Sequence, residues 1–221
     1  FELGAKYSGG RVSFEAAFFD YDWTNLQVAV LSNDAGGLTQ ENADAEMTGF
    51  EFSSTFRLSE NLSMGLSGAW LDGEYTTYSA STHVPASSIT PGARGFVGGV
   101  REDLSGYRLA SAPEFSLNGN VTYSFPITAN YDAELSALVY YSDEYDMTPG
   151  ASGIARIDKQ DSMTIVNLNL SVRHSTGWQA DLYVRNATDE EYYTEKTTQP
   201  QGAFGAPALP RVVGARVRYN F

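Results

Sequence analysis

The sequence of 221 residues contains no cysteine, so neither a disulfide nor a thiolate-metal framework supports its fold. It also lacks any run close to the roughly 18 consecutive apolar residues that a membrane-spanning helix requires, because Ser, Asn, Gly or a charge breaks each candidate stretch. A helical membrane protein is therefore excluded. A spanning β-barrel is not, since its strands alternate apolar and polar residues and leave an ordinary average such as the mean hydropathy of -0.28 found here. Basic residues are scarce: 14 Lys and Arg face 27 Asp and Glu, a formal net charge of -13 that argues against a nucleic-acid partner.

Catalytic groups are equally sparse. Of the two histidines, His83 stands in a Ser- and Thr-rich loop near Ser81 and His174 ends an expected strand, and no G-x-S-x-G element accompanies either. No enzyme is expected. The acidic clusters Asp143, Glu144, Asp146 and Asp189, Glu190, Glu191 lack the spacing of a calcium loop, and the glycines between Gly95 and Gly106 lack the Lys-Ser/Thr of a phosphate cradle. No metal site or cofactor is expected either. The opening Phe1-Glu2-Leu3-Gly4-Ala5-Lys6-Tyr7 has no basic start and apolar block of a secretion leader. It reads as the middle of a strand, which leads to the expectation of a longer polypeptide beginning before Phe1.

What the sequence has in abundance is a period of two. Val213, Ala215, Val217 and Tyr219 alternate with Gly214, Arg216 and Arg218; Leu168, Leu170 and Val172 alternate with Asn169, Ser171 and Arg173; Leu117, Gly119, Val121 and Tyr123 alternate with Asn118, Asn120 and Thr122. Similar two-faced segments surround Leu62 to Trp70, Phe50 to Leu58, Tyr131 to Val139 and Trp178 to Val184. The longest, Arg11 to Leu31, begins with Val12, Phe14, Ala16 and Phe18 and resumes the same parity at Leu26, Val28 and Val30, as one strand projecting beyond an apolar band would. About nine strands result, joined alternately by short turns (Ser8–Gly10, Ser59–Asn61, Ile127–Asn130, Ser175–Gly177) and long connections (Asn33–Asp44, Ala80–Ala112, Glu144–Asp161, Ala187–Pro210). Aromatic residues recur at strand ends: Tyr7, Phe125, Tyr131, Trp178, Tyr219 and Phe221 at the turn end, Trp70 and Tyr141 at the other. Glu51, Arg57, Glu134, Asp181, Arg216 and Arg218 lie on the polar face, as the lining of a wet or plugged lumen would. A small stand-alone barrel serving as anchor or adhesin, with an even strand count, and a soluble β-sandwich binding module share much of this pattern.

The segment Asn186-Ala187-Thr188-Asp189-Glu190-Glu191-Tyr192-Tyr193, followed by a loop of Gln, Gly and Pro, then Pro210-Arg211 and a strand ending Arg218-Tyr219-Asn220-Phe221, resembles the closing segment of TonB-dependent outer-membrane receptors. Phe1 to Lys6, Phe18-Phe19-Asp20-Tyr21, Gly49-Phe50-Glu51 and Leu109 to Glu114 follow the order of the same family, so the resemblance spans essentially the whole chain. It implies an all-β, antiparallel transmembrane barrel of about 22 strands, of which residues 1–221 are the C-terminal part, with the plug domain and earlier strands lying upstream. It further implies an outer-membrane receptor and transporter for a scarce nutrient (ferric siderophore, haem, cobalamin or oligosaccharide), energised by the TonB complex through the plug. Tyr219 and Phe221 resemble the family's C-terminal assembly signal, read by the barrel-assembly machinery. Ligand contact is expected from the long connections, where Tyr75, Tyr78, Phe96, Tyr145, Tyr192, Tyr193 and Phe204 offer stacking surfaces and Arg94, Arg101 and Arg156 offer anion contacts.

Overall fold

A computed structural model describes residues 1–32, 37–149, 158–199 and 202–220. In chain order the elements are β1 (Glu2–Ser8), β2 (Val12–Ser32), β3 (Gly37–Arg57), β4 (Leu62–Thr77), β5 (Ser79–Pro85), the one-turn helix α1 (Ala86–Ile89), β6 (Phe96–Asp103), β7 (Phe115–Thr128), β8 (Tyr131–Ser142), β9 (Tyr145–Asp146), β10 (Lys159–Gln160), β11 (Met163–His174), β12 (Trp178–Arg185), β13 (Tyr193–Gln199), β14 (Gly202–Pro207) and β15 (Val212–Tyr219). Nine of them, β1-β2-β3-β4-β7-β8-β11-β12-β15, form one sheet in which each strand pairs antiparallel with the next. The other three pairs, β5–β6, β9–β10 and β13–β14, are separate hairpins carried by the long connections. Those connections were expected to be loops, and they contain local sheet instead.

The register keeps every apolar set on one face. Leu3, Phe18, Phe50, Trp70 and Phe115 form one continuous cross-strand row, and Tyr123, Leu135, Leu170 and Leu182 form another nearer the turns. A slip of one residue would turn a whole set to the opposite face, so an apolar solvent on one side specifies the pairing strongly. This face is not covered by protein: Leu3, Phe14, Phe18, Phe50, Trp70, Val121, Leu135, Val139, Leu168, Leu182 and Val217 are all exposed. In water so large a patch is an aggregation surface, whereas a bilayer covers it. From Leu62 to Trp70, β4 rises about 26 Å along its axis, the length of one crossing. Stacked or tilted aromatic pairs close both ends of this band. Tyr123 lies 5.3 Å from Phe125, Tyr131 4.4 Å from His174 and Trp178 4.8 Å from Tyr219 at the turn end, with Phe115 6.2 Å from Tyr141 at the other.

The opposite face holds the charges that alternation assigned to it. Asp181 is buried and accepts from Ser171 Oγ at 2.7 Å, Gln179 Nε2 at 2.7 Å and Arg218 at 3.3 Å, and Glu134 pairs with Arg173 at 3.4 Å. Lys6 pairs with Glu15 across β1 and β2. Within the crossing segments Glu2, Glu15, Glu51, Asp132, Glu134 and Asp181 are matched in number by Lys6, Arg57, Arg173, Arg185, Arg216 and Arg218. The net negative charge of the chain therefore belongs to the segments beyond the band on the long-connection side. One packing detail belongs to this polar face as well: Gly49 is buried beneath the Phe19 ring, and a Cβ there would collide with it.

Two sequence expectations change above the band. Residues Gly37–Asp44, expected within a connection, belong to β3, which pairs with β2 up to Ser32–Gly37. Leu26 and Val28 keep the even parity of Val12 to Phe18 but not their face. A bulge between Trp23 and Leu26, with Asn25 at φ 59 and its N–H donating to Asp44 Oδ1 at 2.9 Å, inserts an extra residue. Leu26 and Val28 thereby join Phe19, Tyr21 and Trp23 on the polar-face side. There they meet Ala43, Ala45, Tyr75, Tyr78, Ala80 and Leu104 in a compact core, with Tyr107 and Leu109 against it. The opposite side of the same strands carries Asp20, Asp22, Glu46, Asp72 and Glu74, all exposed. The apolar face thus switches sides where the strands leave the band.

Substituting Val121→Arg on the exposed apolar face is expected to destabilise the barrel in lipid by about 2–4 kcal/mol, while Asn118→Arg on the polar face of the same strand is tolerated. Denaturant titration of each variant of the full-length protein in vesicles, read by gel heat-modifiability, checks the difference. Equal loss for both would contradict the facing.

Candidate ligand-binding surface at the loop end

Two structures stand above the band, and each is positioned by the strands below it. The first is the β2–β3 extension with β5–β6 laid against it. Segment 104–110 runs along the upper edge of β4: Tyr75 N–H donates to Tyr107 O at 2.9 Å, Gly106 N–H to Tyr75 O at 2.7 Å and Leu109 N–H to Gly73 O at 3.1 Å. Here Tyr75 is 3% and Tyr78 1% exposed, their rings 4.8 Å apart. Burial pushes both phenols up from their ordinary pKa, and Glu41 close by adds to the effect at Tyr78. These two tyrosines, expected at a ligand surface, pack the module core and present no free face. Arg101 is committed to the same module. Its guanidinium lies 3.6 Å from Glu41 and donates to Ser79 O at 2.8 Å, fixing β6 to the β3 extension. Arg94 is exposed just ahead of β6, and Phe96 is half-buried opposite Pro85. At the β6 end, Ser105 donates from both N–H and Oγ to Asp103 and holds its carboxyl below the usual range.

The second structure joins β9–β10 to the base of β13. Tyr193 N–H donates to Gln160 Oε1 at 2.9 Å, Lys196 Nζ donates to Lys159 O at 2.6 Å, and the Lys196 ammonium sits 4.4 Å over the Tyr193 ring. Asp158 is buried here with Thr148 donating to it, and burial raises its pKa. Tyr192 is half-buried, its carbonyl accepting from Ala208 N–H, while Phe204 on β14 is 51% exposed. The β13 strand approaches β6. Arg94, Phe96, Tyr193 and Phe204 therefore belong to two neighbouring hairpins, and Tyr145 stands on β9, paired with the Gln160 that accepts from Tyr193. Arg156 and Phe221 lie outside the described residues. Tyr219 sits near the turn end of β15 against Trp178, far from the loops.

Tyr145 lines a cleft of about 390 Å³ between segment 106–112 and the β9–β10 hairpin, shared with Tyr107, Arg108, Glu144, Asp146 and Lys159. Burial, then the neighbouring Tyr140, raises its phenol, which stays a neutral donor. Arg108 pairs with Glu114 at 2.6 Å, and Lys159 pairs with Glu144. Sequence reading noted the acidic Glu144 and Asp146 but not Arg108 or Lys159. Nothing local in the sequence announces that these cations line one cleft, because the strands between them bring it about. Among the described residues no cluster of His, Asp and Glu could hold a metal ion.

The motif that carried the family resemblance is a structural knot. Asn186, at φ 50 and buried, donates through Nδ2 to Glu190 O at 2.9 Å and accepts through Oδ1 from Glu190 N–H at 2.8 Å. Its own N–H donates to Asn167 Oδ1 at 3.0 Å, and Asp189 accepts from Arg211 N–H at 2.8 Å. Thr188 Oγ1 donates to Thr164 O at 3.3 Å. β11, β12 and the entry to β15 are thereby braced at their upper ends. Asparagine tolerates the left-handed backbone and supplies both a donor and an acceptor, a combination few side chains offer.

Asn186→Ala is expected to destabilise this corner by about 1–3 kcal/mol, since it leaves buried backbone groups unsatisfied; a lowered unfolding midpoint and faster exchange at Glu190 check it. The sign for Asp158 follows from its raised folded pKa. Burial disfavours the ionised carboxylate, so the stability that goes with the neutral acid is fully present below the unfolded carboxylate range and is lost as pH rises through the folded value. Protection of Lys159, Gln160 and Tyr193 amides, corrected for intrinsic rates, is expected to increase on acidification. Asp158→Asn should remove that pH dependence.

The model of the family described as TonB dependent receptor-like, beta-barrel, matches residues 1–187. A search of curated protein sequences gives no match. Among solved structures, the chain is similar to the ferric yersiniabactin uptake receptor FyuA of Yersinia pestis (TM-score 0.76, 18% identity, 100% of this chain and 29% of that one). It is also similar to the ferric-catecholate import receptor Fiu of Escherichia coli K12 (0.64, 17%, 98% and 26%) and to the copper transporter OprC (0.62, 16%, 100% and 31%). At these identities the likeness is one of fold, and the chain spans less than a third of the length of these solved receptors. With an apolar face exposed for lipid, a charge-paired polar face and the family model matched over most of its length, the chain belongs to the TonB-dependent receptor-like β-barrel family and lies in the bacterial outer membrane.

Proposed function

We propose that these nine strands are the C-terminal share of the barrel of a receptor that imports a scarce metal as an organic chelate, of the ferric siderophore class. The observation that carries this reading is the register-locked, two-faced wall. Its whole length superposes on a receptor described as one for ferric yersiniabactin uptake. Solved structures of similar fold described as a ferric-catecholate import receptor and a ferripyoverdine receptor support the same substrate class. In this reading a plug domain and the remaining strands precede Phe1, and the plug couples import to the TonB complex. The β5–β6 and β13–β14 hairpins meet the chelate through Arg94, Phe96, Tyr193 and Phe204, whose cation and rings suit an anionic, planar ligand. Tyr219 and Phe221 serve the barrel-assembly machinery.

Import is tested in a strain deleted for the gene, with and without the intact receptor, on a panel of ferric chelates supplied as radioactive iron. Expected is restored uptake of one chelate, abolished when the TonB complex is removed, and reduced about tenfold or more by Phe204→Ala with Arg94→Gln. Unchanged uptake of every iron chelate, with restored uptake of cobalamin or an oligosaccharide, would overturn the substrate class.

A further inference from the structure

Glu41 continues the parity of Ala43 and Ala45 along β3, which puts it at the rim of the core between the β2–β3 extension and β5–β6. Its side chain is 18% exposed. Oε1 lies 3.6 Å from Arg101, beyond hydrogen-bonding distance, and Oε2 is buried with no hydrogen-bond partner in the protein. The Tyr78 hydroxyl is in the same condition, buried and unpartnered, and it is near enough for the Glu41 charge to act on the phenol. A carboxylate short of a donor thus stands by a phenol short of an acceptor. Buried polar groups are nearly always paired, so two neighbouring orphans of opposite kind call for a physical reason.

Packing decides which of the three groups can move. Tyr78 is fixed: its ring lies 4.8 Å from that of Tyr75, its N–H donates to Ser105 Oγ at 3.2 Å and its carbonyl accepts from Leu104 N–H at 2.8 Å. Glu41, at the rim, is free to turn about its own side-chain bonds. Arg101 is the exposed member, at 65%. On β6 it pairs with Ser81, whereas Glu102 pairs with Ala80 of the core, so alternation puts Arg101 on the hairpin face turned away from that core. The core occupies the polar-face side of β2 and β3, and the outward face of β5–β6 therefore belongs to the lumen side of the loop end. An exposed ion pair of this length contributes little and yields to a better-placed anion. Ser79 O, which accepts from the guanidinium at 2.8 Å, keeps Arg101 aimed when the carboxylate leaves.

We propose that Glu41 is a shared carboxylate: it holds Arg101 in the ligand-free protein, and when an anionic chelate takes the guanidinium it turns to accept a hydrogen bond from the Tyr78 hydroxyl. Arg101 is then a ligand contact on the same hairpin as Phe96, and Glu41 and Tyr78 are positioning residues. The hydrogen bond gained at Tyr78 offsets the ion pair lost at Arg101. The exchange also selects for charge, because a neutral chelate does not displace a carboxylate from a guanidinium. This inference rests on the reading that the loop end meets an anionic chelate.

Two measurements on the full-length protein in mild detergent separate the exchange from the nutrient reading. The first uses no ligand. In a crystal structure of Arg101→Gln, the Tyr78 hydroxyl is expected within about 3 Å of a Glu41 carboxylate oxygen, and Tyr78→Phe is expected to leave the unfolding midpoint unlowered, since the hydroxyl it removes has no partner in the free state. A Tyr78 hydroxyl in Arg101→Gln that is unbonded or bonded to water alone, or a lowered Tyr78→Phe midpoint, would overturn the proposal. The second measurement reads binding of radioactive ferric citrate, a ferric tricatecholate and a neutral ferric trihydroxamate. For the anionic chelate that binds, affinity is expected to fall about tenfold in Arg101→Gln, rise about threefold in Glu41→Ala and fall about threefold in Tyr78→Phe, the last effect vanishing when Glu41→Ala is also present. Gel heat-modifiability identifies a variant that has not folded, and Glu41→Gln then replaces Glu41→Ala with the same expected gain. Unchanged or weaker binding by the Glu41 variant, or a Tyr78→Phe effect that persists without the carboxylate, would sink the exchange. Binding of the neutral chelate alone, or of none, would overturn the anionic-chelate reading, and the Arg101→Gln structure then decides the Glu41 exchange by itself.

Discussion

Everything in this structure depends on the requirement that backbone polar groups crossing hydrocarbon find partners within the protein. Water is absent there, so each strand must be hydrogen-bonded on both sides, and an antiparallel meander with short turns achieves this with the least chain between neighbours. The unbroken ladder from β1 to β15 follows. So does the arrangement of side chains: the outer face solvates in lipid with Leu, Val and Phe, and charge is confined to the inner face, where Asp181 and Glu134 find cations and hydroxyls.

Once the strands pass the aromatic edge that rule ends and water returns on both sides. A free-standing ribbon of β2 and β3 with an apolar outer face would be a liability, and a lone hairpin is at best marginally stable in water. The bulge at Trp23 to Leu26 resolves this by one inserted residue. It places Leu26 and Val28 on the inner side, where Tyr75, Tyr78 and Leu104 complete a small core, and it leaves carboxylates outside. The loop end is therefore built as packed modules. The charge imbalance of the whole chain resides there, since the crossing segments balance.

Function divides along the same line. Side chains that looked alike in the sequence, tyrosines in or beside long connections, serve different ends. Tyr75 and Tyr78 hold a core, Tyr193 lies beneath Lys196 in a joint between hairpins, and Tyr145 lines a cleft. The motif around Asn186 was the most recognisable feature of the sequence and is the most saturated with hydrogen bonds. Its recognisability comes from geometry at a strand corner.

The sequence by itself determined the period of two, the facing of the crossing strands, their number, the places of the turns and the identity of the inward charges. Each of these is local, because lipid rewards apolar residues at every second position and turns punctuate the pattern within a few residues. Only the tertiary structure decided the face of Leu26 and Val28, the strand state of Gly37 to Asp44, the burial of Tyr75 and Tyr78 and the convergence of Arg108 and Lys159 on one cleft. A bulge reverses parity without altering the spacing of apolar residues, and contacts between connections fifty residues apart are set by which strands lie between them. Those outcomes depend on where the chain is brought back to itself, which no window of neighbouring residues contains.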